Sequence, residues 1–373
     1  MTPAGGLALL LALLGAAPAV AQDDWQAPPQ AWEGVWRGTI GTLPVHLCLD
    51  STPNRSIGAY YYDRHRSLIR LELSDDQASW IEKSPDDRAG PRWRIAAKGK
   101  DELTGSWTDN RTKLPVQMRR IGPTSADFEG PCGSMEFHRP RLRPVALTRK
   151  NSTNNGAALT IWTFKPGAPF DDVEVSTFTL DRPGPAIARV NAELRTILPK
   201  VDGGGDWLDC IAGNANAHGA DGYFSESIEP SVVTARWLGA IYRSDTDCGG
   251  AHPNTSVAFR TFDLEQGAEL DPLDWFAPAA VLVEPVDRSS LKSLTPAFRK
   301  FLLAGYKAEG EDCDGVLAET EYWTAGIERG SMVFWPGLPR VVMACSEDFK
   351  IALDRLEPWL NPNGKAMLPT LPR

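Results

Sequence analysis

The sequence predicts two domains of different class, an all-β first domain and an α+β second domain. Short strand-like runs separated by turn clusters fill residues 22–140, which favours a small antiparallel barrel or sandwich. Apolar residues at helical spacing mark two segments beyond residue 157, between further strand-like runs. Residues 157–373 are therefore expected to form an antiparallel sheet with two main helices. The length of 373 residues also corresponds to about two domains, at roughly 150 residues each.

Residues 1–21 are predicted to be a signal peptide. An apolar run, Leu7–Leu14, is followed by Ala19–Ala21, the small-x-small pattern at which a signal peptidase cleaves, so Gln22 is expected to begin the mature chain. No Lys or Arg precedes the run, which is atypical, and a membrane anchor is the alternative. The run is nevertheless shorter than the about 20 residues that a bilayer span needs. We therefore expect a periplasmic or secreted protein with no membrane span in the mature chain.

The first domain repeats one hairpin unit. Gly34–Trp36 precedes Leu43–Leu47, and Gly105–Trp107 precedes Leu114–Met118 at the same spacing. Each copy predicts a strand with an inward Trp, a turn and a second strand, and a repeated hairpin favours a meander that closes on itself. A coincidence between two similar hairpins is the alternative. Further strands are expected at Gly58–Tyr62, Leu68–Leu73, Trp80–Glu82 and Trp93–Ala96.

A basic and then Asn- and Ser-rich segment, 141–156, is the expected linker between the domains. Beyond it, Pro185–Leu198 and Ser290–Gly305 carry the helical spacing of apolar residues. The Gly-rich residues 201–207 are an expected loop, and Arg340–Cys345 is an expected late strand. Other strands are expected at Leu159–Phe164, Val173–Leu180, Tyr223–Ile228, Val232–Tyr242, Ser256–Leu264 and Ser331–Phe334.

The even number of cysteines behind a leader indicates disulfides. Six cysteines allow 15 pairings, among which the sequence alone does not decide. Pairing within each predicted domain favours Cys48–Cys132, Cys210–Cys248 and Cys313–Cys345. No Cys-x-x-Cys occurs, so neither a redox pair nor a zinc knuckle is indicated.

One stretch, Cys248–Thr255, stands between two strand-like runs and has an unusual composition. Its Gly249 and Gly250 permit backbone angles that other residues avoid. Pro253 fixes its own φ and favours an extended residue before it. The stretch therefore predicts a tight turn that displays one imidazole and one amide.

This stretch, followed by Phe262–Leu264, Gly267 and Leu273–Phe276, resembles the RsiV/PdaC-type extracellular domain. That domain occurs in lysozyme-sensing anti-sigma factors and beside some peptidoglycan deacetylases. The resemblance covers about residues 157–360 and leaves 22–140 unassigned. Cys248 departs from the pattern, which often has an aromatic residue or Thr there. The resemblance implies a cell-envelope setting and no particular reaction.

His252, Asn254 and His218 are the candidate ligand-binding residues. A Cys210–Cys248 bridge would bring their two loops together, and zinc with an open coordination position is one hypothesis for the two imidazoles. The carboxylates considered as further zinc ligands are Asp221, Asp245 and Asp247. The alternative is structural, with His252 bonded to the backbone of its turn and Asn254 capping a neighbouring peptide group.

The sequence predicts no catalytic residue, no metal and no cofactor. It lacks the nucleophile elbow, the zinc-protease helix, the EF-hand loop and the phosphate-binding Gly-rich loop. The remaining imidazoles are expected at the surface or at the edge of the core: His46, His65 and His138.

The formal net charge of −9 argues against nucleic acid and anionic membranes and is compatible with a basic partner. The favoured function is non-catalytic binding of a protein, such as the basic envelope protein lysozyme, or of a cell-wall component. One alternative is a peptidoglycan or glycan hydrolase, zinc-dependent or not, that uses His218 and His252. A purely structural or assembly role is the third.

Overall fold

The computed structural model describes residues 30–52, 55–75, 77–84, 86, 88–122, 130–286, 289–304, 306 and 313–373. The predicted signal peptide lies outside these residues. Across the described ranges the chain forms a closed eight-stranded antiparallel barrel, followed by an α+β region with antiparallel sheets and few helices. The predicted fold class is confirmed in both halves, and the first half is a barrel rather than a sandwich.

The barrel is a meander in which each strand pairs with the next and β1 closes against β8, with Trp36 opposite Arg120. Its strands are β1 Gly34–Ile40, β2 Leu43–Thr52, β3 Arg55–Tyr62, β4 Ile69–Leu73, β5 Trp80–Lys83, β6 Ala89–Lys98, β7 Glu102–Thr108 and β8 Lys113–Arg120. The two predicted hairpins are β1–β2 and β7–β8. Trp36 is fully buried in the barrel core and Trp107 packs against that core, so both lie inward as expected. Large aromatic rings fill the interior because they bury much apolar area per residue.

A second cluster covers one outer face of the barrel. Because strand side chains alternate between faces, Cys48 and Tyr61 point outward while their neighbours fill the interior. Two short helices pack over them, α1 Gly130–Gly133 and α2 Met135–His138, and the disulfide Cys48–Cys132 joins α1 to β2. This covered face is where the barrel meets the rest of the chain.

The α+β region is built on a seven-stranded sheet in the order β15-β14-β13-β12-β11-β10-β9. The strands are β9 Leu147–Asn154, β10 Ala157–Phe164, β11 Val173–Leu180, β12 Phe224–Val233, β13 Trp237–Thr246, β14 Asn254–Asp263 and β15 Ala268–Leu270. β11 and β12 are parallel, so the chain must cross the sheet between them. Two helices fill that connection, α3 Pro185–Leu194 and α4 Asp206–His218.

The chain ends in smaller elements that pack as a further apolar core on the sheet. They are β16 Val281–Val286, β17 Ser289–Leu294, α5 Pro296–Leu302, α6 Cys313–Glu319, β18 Trp323–Glu328, β19 Ser331–Pro336, β20 Phe349–Ala352, α7 Leu353–Leu356 and α8 Pro362–Met367. Short 3₁₀ helices lie at Arg139–Arg141, Pro272–Trp275, Arg340–Cys345, Glu357–Trp359 and Leu368–Thr370. Within the described ranges, no helix has the length and apolarity needed to cross a membrane.

One helix was missed in the sequence, and one predicted helix was wrong over much of its length. The Gly- and Asn-rich sequence hid α4, whose buried face repeats at helical spacing through Trp207, Ile211 and Ala215. The expected helix at Ser290–Gly305 is a strand, β17, followed by the short helix α5. The helix starts later because the Thr295 hydroxyl accepts from the Phe298 amide and Pro296 occupies the first turn.

Two further segments differ from expectation. The expected linker 141–156 contains β9, an edge strand that pairs with β10 along its whole length. Its side chains are mostly exposed, so it lacks the apolar alternation by which strands are found in a sequence. The expected strand Arg340–Cys345 is a 3₁₀ helix, and the disulfide Cys313–Cys345 ties its end to α6.

All three disulfides join the cysteines that the sequence favoured: Cys48–Cys132, Cys210–Cys248 and Cys313–Cys345. Disulfides persist in oxidising compartments, so the pairing indicates an extracellular or periplasmic setting rather than a reducing one.

Candidate functional site

The turn predicted at Cys248–Thr255 joins β13 to β14 in a long antiparallel hairpin that runs from Trp237 paired with Asp263 to Thr246 paired with Asn254. Gly249 has a φ of +90° and Gly250 does not share this conformation. A Cβ atom on Gly249 would meet the Ala217 Cβ at 2.5 Å and the Gly213 carbonyl oxygen at 2.7 Å. Only a residue without a side chain fits there, so the turn lies directly on α4.

Two more contacts fasten the same turn. The disulfide Cys210–Cys248 links it covalently to α4. The Asp247 amide donates to the Tyr223 carbonyl oxygen at 2.9 Å, and a Cβ on Gly222 would come within 1.9 Å of the Asp247 carbonyl oxygen. The turn is therefore held from both sides, and its backbone geometry does not depend on the exposed residues at its tip.

His252 and Asn254 are both exposed on this fastened turn. The His252 Nδ1 lies 3.1 Å from the Pro253 carbonyl oxygen. A carbonyl oxygen only accepts, so Nδ1 carries the proton and Nε2 is the acceptor in the neutral ring. Asn254 begins β14 and pairs with Thr246. The hydrogen bond of His252 within its own turn is the one expected from the structural alternative, and it leaves the ring edge available to solvent.

His218 occupies a different position. It is the last residue of α4, not part of a loop, and is half-buried. Gly219 caps the helix with a φ of +67°, and a Cβ there would lie 2.7 Å from the Gly58 carbonyl oxygen of the barrel. Within the part of the chain that is described, no group of three or more His, Cys, Asp and Glu side chains is arranged to hold a metal ion.

A polar network at the same end of the hairpin was not predicted. The Asp245 carboxylate accepts from the Tyr223 hydroxyl at 3.2 Å and from the Thr255 hydroxyl at 3.1 Å. Arg340 in turn donates to the Thr255 hydroxyl at 2.8 Å. Burial, followed by the charge of Asp245, raises the pKa of Tyr223 above its usual value. Arg340 lies 85 residues beyond Thr255, so no local sequence pattern predicts this contact.

The sheet register collects further acidic groups at this end. Val173 pairs with Phe224, Phe224 with Thr246, and Thr246 with Asn254. The residues just before β11 therefore lie at the same end of the strands as the turn. The two residues that precede Val173 are exposed aspartates, Asp171 and Asp172. Together with Asp245 and Asp247 they make this end of the strands acidic.

The junction between the barrel and the sheet is the other concentration of buried polar groups. The side chain of Arg141 is fully buried and donates to the Arg66 carbonyl oxygen at 2.9 Å and to the Asp221 carboxylate. Its guanidinium lies over the rings of Tyr61 and Phe170, at 5.6 Å and 4.7 Å from their centroids. Arg141 therefore contacts both halves of the chain at once.

His138 belongs to this junction. The sequence placed it at the surface or the edge of the core, which is wrong, because it is fully buried. Its Nε2 lies 2.8 Å from the Cys132 carbonyl oxygen and therefore donates to it. Burial, followed by the neighbouring Arg141 charge, lowers the pKa of His138 to about 3. The ring is thus neutral at physiological pH and serves as a structural hydrogen-bonding group.

Solved structures that are similar to this chain include two DUF3298 family proteins. One is a DUF3298 family protein from Pseudomonas aeruginosa, with 18% identity and a TM-score of 0.34, covering 59% of this chain and 96% of that one. The other is a DUF3298 family member from Bacteroides fragilis, with 12% identity and a TM-score of 0.30, covering 59% of this chain and 93% of that one. No family model and no curated protein matches the chain. The RsiV/PdaC-type resemblance of residues 157–360 stays a prediction.

Proposed function

We propose that this chain is a non-catalytic, exported binding protein whose contact surface is the exposed end of the β13–β14 hairpin. The observation that carries the proposal is the fastening of the turn: Gly249 and the disulfide Cys210–Cys248 hold it on α4, while His252 and Asn254 stand exposed. A surface that is already rigid loses little conformational entropy when it binds. Three disulfides support export to the periplasm or beyond the cell.

The partner that fits this end of the sheet is a basic protein of the cell envelope. Residues 147–373 carry 31 Asp and Glu against 21 Lys and Arg, whereas residues 30–122 carry 12 against 15. The negative charge of the chain is therefore concentrated in the region that exposes Asp171, Asp172 and Asp245 at the strand ends beside the turn. Such a field accelerates encounter with a cationic partner and disfavours an anionic one. Lysozyme, the cationic enzyme to which the resemblance points, is the first partner to test, and a cell-wall component is the other class.

The test measures association and dissociation rates of the full chain with lysozyme over a series of salt concentrations. We expect the association rate to fall as salt rises, because exposed charges are screened beyond about 8 Å at physiological ionic strength. Asp245→Asn should lower the association rate at low salt. His252→Ala and Asn254→Ala should raise the dissociation rate, because they remove contacts formed in the complex.

The matched control is Glu265→Gln, which removes the same charge from an exposed carboxylate in the turn beyond the opposite end of β14. It should leave both rates unchanged. Binding to purified peptidoglycan and not to lysozyme would replace the protein partner by a cell-wall one. No binding to either, or an equal effect of Glu265→Gln and Asp245→Asn, would contradict the proposed surface.

A further inference from the structure

A cavity on the barrel, separate from the β13–β14 hairpin, is lined by charged and polar side chains, some of which other contacts hold in place. Its volume is about 180 Å³, well above the about 10–15 Å³ that one water molecule occupies on the same measure. It opens on the outer face of the barrel beside the junction. The residues that line it are Arg37, His46, Tyr61, Asp63, Arg66 and Pro140.

The imidazole of His46 is held in one orientation. Its Nδ1 lies 2.8 Å from the Asp63 Oδ1, and its ring stacks on the Tyr61 ring at 5.1 Å between centroids, with 14° between their planes. Tyr61 is itself fixed, because its hydroxyl donates to the Phe137 carbonyl oxygen at 2.8 Å. His46 is only 4% exposed, although the sequence indicated a surface or core-edge position. These contacts fix the His46 ring so that its other nitrogen, Nε2, faces the cavity.

The protonation of that nitrogen follows from its partner. A carboxylate only accepts hydrogen bonds, so the Nδ1 of His46 carries the proton that points at Asp63. Burial lowers the pKa of His46, against the opposing effect of Asp63, so the ring is neutral near pH 7. The remaining nitrogen, Nε2, is then an acceptor to which a ligand in the cavity can donate.

Two guanidinium groups at the cavity are cationic and can donate hydrogen bonds to an anionic ligand. Arg37 is 61% exposed and approaches Asp63 only to 3.7 Å. The Arg66 side chain makes no hydrogen bond or ion pair with the described residues. Its backbone is held in the left-handed region, at a φ of +64°, by hydrogen bonds from its amide to the Tyr62 carbonyl oxygen and from Arg141 to its own carbonyl oxygen. Strained non-glycine residues held in this way cluster at functional sites.

We propose that this cavity binds a small oxyanion that also carries a hydroxyl donor, such as monohydrogen phosphate or a hydroxy acid. Arg37 and Arg66 would hold the anionic oxygens, since guanidinium groups bind phosphate and carboxylate through paired hydrogen bonds. The hydroxyl of the ligand would donate to the Nε2 of His46. The site is distinct from the hairpin surface, and its ligand is independent of the partner of that surface.

The experiment compares binding of inorganic phosphate and of sulfate to the full chain by calorimetry at neutral pH and equal ionic strength. Phosphate retains a proton at this pH and sulfate does not, so only phosphate can donate to His46. We expect saturable phosphate binding and at least about tenfold weaker sulfate binding, the cost of an unmade hydrogen bond to the Nε2 of His46. Lactate against acetate repeats the comparison for carboxylates and identifies the preferred oxyanion.

Arg66→Gln should weaken phosphate binding by about tenfold or more. The matched control is Arg64→Gln, which removes the same charge from an exposed residue of the same turn that does not line the cavity. Arg64→Gln should leave the affinity within about twofold of the unchanged chain. Saturable phosphate binding with the nitrogen NMR signal of the His46 ring shifted would place the ligand. Equal affinity for phosphate and sulfate, equal effects of the two variants, or no saturable binding would each overturn the proposal.

Discussion

Replacing Arg141 by Met tests whether the barrel and the sheet are joined by one buried ion pair. Met keeps much of the apolar contact with Tyr61 and Phe170 but removes every donor. The substitution leaves the Asp221 carboxylate without its cation and the Arg66 carbonyl oxygen without its donor. One Asp221 oxygen, Oδ1, is already buried and makes no hydrogen bond with the described residues.

The expected loss in the free energy of unfolding is about 3 kcal/mol. Removing one partner of a buried pair costs about 3–5 kcal/mol, chiefly because the other charge stays buried without compensation. The lower end applies because the Asp221 side chain is 21% exposed and water can partly compensate it. Adding Asp221→Asn removes the stranded charge, so the double variant should be more stable than Arg141→Met alone.

The assay is equilibrium unfolding in urea, followed by tryptophan fluorescence with intact disulfides. Arg143→Met is the control, because Arg143 is exposed two residues away, and it should change stability by less than about 0.5 kcal/mol. A loss below about 1 kcal/mol for Arg141→Met would refute the ion-pair reasoning. So would a double variant that is less stable than Arg141→Met alone.

Three further predictions concern the pH dependence, the turn and its disulfide. The pKa of His138 is lowered to about 3, by burial first and then by the neighbouring guanidinium, against about 6.5 when unfolded. Between these two values the folded state therefore binds fewer protons than the unfolded state. The free energy of unfolding is at its full value above about pH 6.5 and decreases as the pH falls towards 3. Between pH 7 and pH 5 the unchanged chain should lose about 2 kcal/mol more stability than His138→Gln, and parallel unfolding curves for the two would contradict the assignment. Gly249→Ala should cost about 1–3 kcal/mol in thermal or urea unfolding because of its positive φ, whereas Gly250→Ala, whose nearest neighbour would be the His252 carbonyl oxygen at 3.7 Å, should be nearly neutral; similar effects of the two would be inconsistent with the turn geometry. Replacing Cys210 and Cys248 together by Ser opens a link of 38 residues and should lower stability by about 4 kcal/mol, and an unchanged unfolding midpoint would disprove that role.

The sequence alone predicted the two hairpins of the first half and favoured the covalent links. Trp36 and Trp107 each open a hairpin at identical spacing, and the alternation of inward and outward residues acts over only a few positions, so both hairpins are predictable. Pairing within each half of the chain favoured the three disulfides that the structure contains, without excluding other pairings among the four cysteines of the second half. The turn at Gly249 was predictable for the same local reason, since glycine permits the backbone angle that the turn needs.

Local rules failed where burial depended on other parts of the chain. The helix α4 was hidden by its Gly and Asn content, and its apolar face became recognisable only where it packs between the sheet and the barrel. The edge strand β9 lacks apolar alternation, because its hydrogen bonds to β10 rather than buried side chains hold it in place.

The polar sites were decided by the tertiary structure. His138 and Arg141 stand in a basic, Pro-containing segment whose composition indicates exposure, yet both are fully buried. Arg141 lies 75 residues from the Arg66 carbonyl oxygen and 80 residues from Asp221, and Arg340 lies 85 residues from Thr255. Backbone preference and side-chain alternation act between near neighbours in the chain, so they specify strands and turns. The partner of a charged group depends on which surfaces pack together, and that is settled only when the barrel and the sheet meet.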